Sequence, residues 1–194
     1  MSESQIVKMK TTKKVEISPT AAILNGELLP TKGKGMDMVI ELYRRYIGNY
    51  PKFFKMDALA RVGFVASELL LKDDEQRFTS REDRAVVLFN KSSSICSDKI
   101  YQKTICDKNE YFPSPSAFVY TLPNIVAGEI CIRNKYEGES CFYVLDNYDE
   151  TTINNTITEI FTDKTTTSAI VGWVECENED SFSVKMQIIT LWNN

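Results

Sequence analysis

The sequence predicts an α/β domain, one sheet with helices on both faces. Two continuous apolar runs point to it, Arg84–Asn90 (RAVVLFN) and residues 169–175 (AIVGWVE). Strands without polar alternation are expected where both faces of a sheet are covered, as in parallel sheets. A third observation is residues 57–71, apolar nearly all round at helical length, which suits a helix buried on more than one side.

The elements follow in order. Residues 14–23 read as extended, with Pro19 placed to interrupt or edge a strand. Residues 25–35 hold three glycines and a proline and read as a loop. Met36, Val39, Ile40, Tyr43 and Ile47 share one helical face, so residues 36–47 predict a helix. After the 57–71 helix and the Arg84–Asn90 strand, a polar loop at 91–94 leads to a short helix over 95–105. Residues 108–116 form a proline-bearing loop, and residues 122–136 a helix. Ser140, Cys141, Phe142, Tyr143, Val144 and Leu145 make a strand. Residues 151–161 place Ile153, Ile157, Ile160 and Phe161 at helical spacing, although their threonines and asparagines form helices weakly. Residues 166–176 and Ser181–Leu191 read as strands joined by a hairpin-like link at 177–180.

Bulk properties bound the function. At 194 residues the chain is long enough for a single domain, residues 1–194, with a substantial core. Hydrophobic residues at 43% and charged residues at 26% give no compositional sign of disorder. A net charge of −4 argues against a nucleic-acid footprint or an anionic membrane as partner. The start lacks a signal peptide's apolar core and no run is long enough for a membrane span, so a cytoplasmic protein is expected. Residues 1–13 are expected to be a flexible segment. The basic run Lys8, Lys10, Lys13 and Lys14 reads as a solvated segment in preference to a local docking face. Five cysteines, an odd number without paired close spacing, predict buried free thiols and neither a metal site nor a cofactor.

Residues 111–136, YFPSPSAFVYTLPNIVAGEICIRNKY, carry the most information. Leu122, Pro123 and Asn124 would start a helix in which Ala127 and Gly128 permit close packing. This stretch resembles a signature of β-ketoacyl synthases of the thiolase-like superfamily, which extend acyl chains on acyl carrier protein. In that family the segment leads into a strand and then a nucleophilic cysteine at a helix start. Residues 50–71, 84–90 and 169–175 resemble further blocks of the same fold. The resemblance covers residues 15–191 and implies a thiolase-like half domain, a five-stranded, mostly parallel mixed sheet with helices on both faces. Laid on this register, Asn147 occupies the nucleophile position, and an amide is not an acyl acceptor. The family's two catalytic histidines lie in its second half, and this sequence contains no histidine.

The resemblance therefore implies a non-catalytic ketosynthase-like subunit in acyl-carrier-protein-dependent fatty acid, polyketide or aryl-polyene-type biosynthesis. Its expected partners are a second copy of itself, a full-length ketosynthase, and an acyl carrier protein. The alternative is an acyl-binding protein or residual acyltransferase acting on acyl carrier protein. In the family the strand before the nucleophile pairs across the dimer axis, so Ser140, Cys141, Phe142, Tyr143, Val144 and Leu145 are the expected interface. Absence of the second half is expected to leave one helix layer unusually apolar, with the 57–71 helix at that layer or beneath it.

Three features have plainer readings. Ser92, Ser93 and Ser94 lack the glycines and lysine of a phosphate loop and read as a strand-to-helix connection. Asp146, Asp149 and Glu150 read as charges at a helix start before a cation site. Cys141, mid-strand with no histidine to act as base, reads as a structural thiol.

Overall fold

The computed structural model describes residues 8–106 and 111–192. In these the chain alternates short antiparallel units with crossover helices. The strands are β1 (Met9–Ser18), β2 (Ala21–Leu24), β3 (Glu27–Leu28), β4 (Arg84–Asn90), β5 (Ser140–Val144), β6 (Ser168–Asn178) and β7 (Ser181–Leu191). The helices are α1 (Gly35–Tyr46), α2 (Ala58–Leu70), α3 (Ile95–Lys103), α4 (Pro115–Val119), α5 (Ile125–Asn134) and α6 (Glu150–Ile160).

All seven strands join one mixed sheet in the order β3-β2-β1-β7-β6-β4-β5. The α/β class and the helices on both faces stand as expected. The expected five strands become seven, and the sheet is not mostly parallel: only β4 with β5 and β4 with β6 are parallel among its six pairings. The physical reason is local. Tight turns link β1 to β2, β2 to β3 and β6 to β7, and a strand that returns directly through a tight turn must run antiparallel. At Asn25 and Gly26, with φ of 53° and 87°, the chain adopts the doubly positive backbone of a two-residue hairpin turn, which Asn-Gly favours.

β1 begins at Met9, so the flexible segment expected over residues 1–13 is too long; residues 1–7 lie outside the described residues. The strand is fixed by its bonds to β7, in a register running from Met9 opposite Leu191 to Ile17 opposite Val184. Lys10 and Lys14 alternate outward along it while Val15 and Ile17 are buried.

The first face of the sheet carries α1, α2 and α5 over Val15, Ile17, Val86, Leu88, Ile170, Val174, Val184 and Met186. α2 is the centre of this layer, and every residue in it except Arg61 is buried. Its start is set by Asp57, whose carboxylate accepts the Ala60 N–H at 2.8 Å, a standard side-chain cap. α5 lies close against it at Gly63, where a Cβ would stand 2.5 Å from Val126 Cγ1. Close packing was expected from Ala127 and Gly128: Ala127 is fully buried, whereas a Cβ at Gly128 would meet nothing within 4 Å. The glycine on which the approach of the two helices depends is Gly63, on α2.

The second face is thinner. Ala85, Val87, Phe89, Ala169, Val171 and Ile189 are covered by Ile153, Ile157 and Ile160 of α6 and by Phe161. The outward side of α6 is Thr151, Thr152, Asn154, Asn155 and Glu159, all exposed. An unusually apolar helix layer is therefore not found on α6. The 57–71 helix is buried within its own layer, packed on the sheet and against α1 and α5.

Candidate functional site

β6, β4 and β5 run parallel side by side, so their carboxyl ends meet at one margin of the sheet, around Trp173, Asn90 and Val144. In open sheets the space beyond such ends is where ligands and reacting groups are usually held. The connection from β5 to α6 crosses this margin and contains Asn147, which is exposed. Asp149 caps α6: its carboxylate accepts the Thr151 N–H at 3.0 Å and the Thr152 hydroxyl at 2.6 Å. The Thr152 hydroxyl and the Thr151 amide hold its pKa below the usual carboxylate value. That is the helix-start reading of this acidic turn.

At the carboxyl end of β4, the loop over Ser92, Ser93 and Ser94 is tied to its neighbour strand. Glu175 of β6 accepts the Lys91 N–H at 2.8 Å and the Ser92 N–H at 3.3 Å. Asn90 closes the same turn, with Nδ2 donating to the Ser93 carbonyl at 2.8 Å. These bonds fill the loop's own donors, as a strand-to-helix connection requires.

No thiol stands at the Asn147 position. Cys141 is half-buried on β5, and its Sγ donates to Glu139 Oε1 at 3.4 Å. Burial pushes its pKa up, as it does for Cys96 and Cys131. Cys176 is fully buried and pushed up to about 12, chiefly by burial. A thiol held protonated is a poor nucleophile. Cys106 departs from the expectation of buried thiols, since it is exposed.

The expected interface strand, Ser140, Cys141, Phe142, Tyr143, Val144 and Leu145, forms β5 with Leu145 just beyond it, beside β4 and at the sheet's outer edge. Its outer backbone donors and acceptors face away from the sheet. Tyr143 stacks on Phe89 with centroids 5.3 Å apart, and Val144 is half exposed. Phe142 packs against the first-face core. Leu122, Pro123 and Asn124 lead into α5, and the Asn124 carbonyl accepts the Gly128 N–H at 3.0 Å. This segment lies on the first face and α6 on the second, so Leu122, Pro123, Asn124 and Gly128 are not brought together with Asn147.

One feature escaped the sequence reading. Phe112, Phe118, Val119, Leu122 and Ile100 are all exposed, concentrating apolar surface on the excursion between β4 and α5. α4, within it, replaces part of the expected loop. Ser114 accepts the Ala117 N–H and Pro115 opens the helix, a start signal that was present in the sequence.

No protein-family model matches the chain, and no curated protein matches it in sequence. Solved structures do match its fold. The ishigamide ketosynthase/chain length factor superposes with a TM-score of 0.67 at 14% identity, covering 94% of this chain and 62% of that one. A ketosynthase in complex with its chain length factor from Xenorhabdus doucetiae gives 0.61 at 10% identity, covering 98% and 81%. A β-ketoacyl synthase from Burkholderia phymatum STM815 gives 0.63 at 11% identity, covering 96% and 60%. The chain thus has a thiolase-like fold. Within that class its neighbours are ketosynthases and chain length factors, and it spans about three fifths of two of them.

Proposed function

We propose that this protein is a non-catalytic ketosynthase-like subunit that pairs, through the outer edge of β5, with a second copy or with a full-length ketosynthase acting on acyl carrier protein. The observation that carries the reading is the β5 end of the sheet. An unblocked edge strand with exposed Tyr143 and Val144 runs directly into the turn that holds Asn147, the residue that the family resemblance lays over the nucleophile. An open edge without lysine or proline is a hazard that a partner strand removes. An amide and protonated thiols leave no acceptor for an acyl group at that turn. The likeness to structures of a ketosynthase with its chain length factor supports the pairing.

The test is the state in solution. Light scattering at micromolar concentration is expected to show a dimer, or a complex when a ketosynthase is co-expressed. Val144→Lys is expected to return it to monomer while the circular dichroism spectrum stays unchanged. Val144 suits the test because it is half exposed, whereas Phe142 also packs in the core. A monomeric parent that captures no ketosynthase defeats the reading, as does stoichiometric acylation by acyl carrier protein.

A further inference from the structure

The second face of the sheet is organised in rows that change character from one end to the other. The strand registers place Tyr143, Phe89, Trp173, Lys185 and Glu16 in one row, across β5, β4, β6, β7 and β1. The neighbouring row runs Val87, Val171, Gln187 and Lys14. Each row is aromatic or aliphatic where α6 covers it and polar or charged where that cover stops.

A cleft of about 240 Å³ lies at this boundary, lined among others by Phe89, Tyr148, Ile153, Val171 and Trp173 on its apolar side. Tyr148, the residue after Asn147, meets Trp173 edge to face with centroids 5.4 Å apart. Lys14, Lys185 and Gln187 line the opposite side. Glu16 and Glu150 also line the cleft. Glu16 stands directly opposite Lys185 and offsets one ammonium, and Glu150 sits in the first turn of α6, where the helix's positive pole offsets part of its charge. Among the described residues neither Lys14 nor Lys185 makes an ion pair. The strand side of the cleft is left with one net positive charge.

From this arrangement we infer that the cleft binds a small aromatic carboxylate, its ring against Phe89, Tyr148 and Trp173 and its carboxylate at Lys14, Lys185 and Gln187. The volume is below the ~300–1,000 Å³ of drug-sized pockets, which fits a single ring with a short acid chain. Aromatic walls favour a ring through edge and face contacts, and ammonium groups favour the anion. The site lies on the second face, away from the outer edge of β5, so it stands or falls separately from the proposed pairing.

The experiment uses 3-phenylpropanoate with the full chain in a Trp192→Phe background, so that fluorescence reports Trp173 alone. A saturable change in Trp173 emission is expected below ~10 mM ligand. The double variant Lys14→Gln/Lys185→Gln, both positions exposed, is expected to weaken binding about tenfold, and 3-phenylpropanamide to bind about tenfold more weakly than the acid. Circular dichroism and a thermal melt confirm that the double variant stays folded. Absence of saturation overturns the inference. So does equal binding by the amide, equal binding by 3-phenylpropylammonium, or unchanged affinity of the double variant.

Discussion

The two faces of the sheet solve the same problem in different ways. On the first, α2 is buried almost throughout, between the sheet and its neighbours α1 and α5. On the second, a single helix of eleven residues contributes three isoleucines, and the strands beyond its reach carry lysine, glutamate and glutamine. The first face holds most of the apolar burial and so specifies the fold. The second is covered only where it must be, which leaves polar groups beside an apolar slot. Stability and binding capacity are divided between the two sides of one layer.

The division is most directly broken by truncating one buried side chain on each face. Phe64→Ala, at the centre of α2, is expected to cost about 3–5 kcal/mol in urea unfolding, whereas Ile153→Ala under α6 should cost about 2 kcal/mol. Equal losses would mean that the second face is as demanding as the first. A smaller effect sharpens the point about close packing. Gly63→Ala forces a Cβ against Val126 and is expected to cost about 1–3 kcal/mol. Adding Val126→Ala should recover part of that loss, and failure to recover any would show that the contact does not limit the approach of α5.

The smallest effect concerns acid. Asp57, at the start of α2, has its pKa raised, first by burial. Its contribution to stability is present below the unfolded carboxylate value of about 3.9 and is lost as pH rises through its folded value. Asp163, just after α6, is held down to about 2 by the Thr166 amide and the Thr165 hydroxyl. Its contribution is present above about 3.9 and is lost as pH falls toward 2. Melting temperatures of Asp57→Asn and Asp163→Asn between pH 2 and 7 should therefore diverge from the parent in opposite directions. Parallel profiles would refute the assignment.

Much of the first face was legible because burial writes itself into sequence as uninterrupted apolar runs. α2, β4 and β6 were found this way. The antiparallel majority was harder to read. β3 has only two residues, too few for alternation to show, and the first half of β1 was hidden by a basic run that looks like a solvated tail. Its second half was read as extended, where Lys14, Val15, Glu16 and Ile17 alternate as a half-exposed strand does. The candidate site was legible only along the chain, as Asn147 and the β5 edge. The cleft was not, because Trp173, Lys185 and Lys14 become neighbours through strand register, which no single segment encodes.

The pairing of β1 with β7 sets the order in which the protein can be assembled. These strands lie at the middle of the sheet, yet the hydrogen bond from Thr11 to Gln187 joins residues 176 positions apart. Closing so long a loop costs entropy before any contact repays it, and folds rich in distant pairings form slowly. During synthesis the β2–β1 hairpin, α1 and α2 emerge long before the strand that must receive them. Until β7 leaves the ribosome, Val15 and Ile17 have no neighbour on that side, and α2 has only part of the sheet to pack on. Nascent chains stopped before Ser181 are therefore the form of this protein in greatest need of a chaperone.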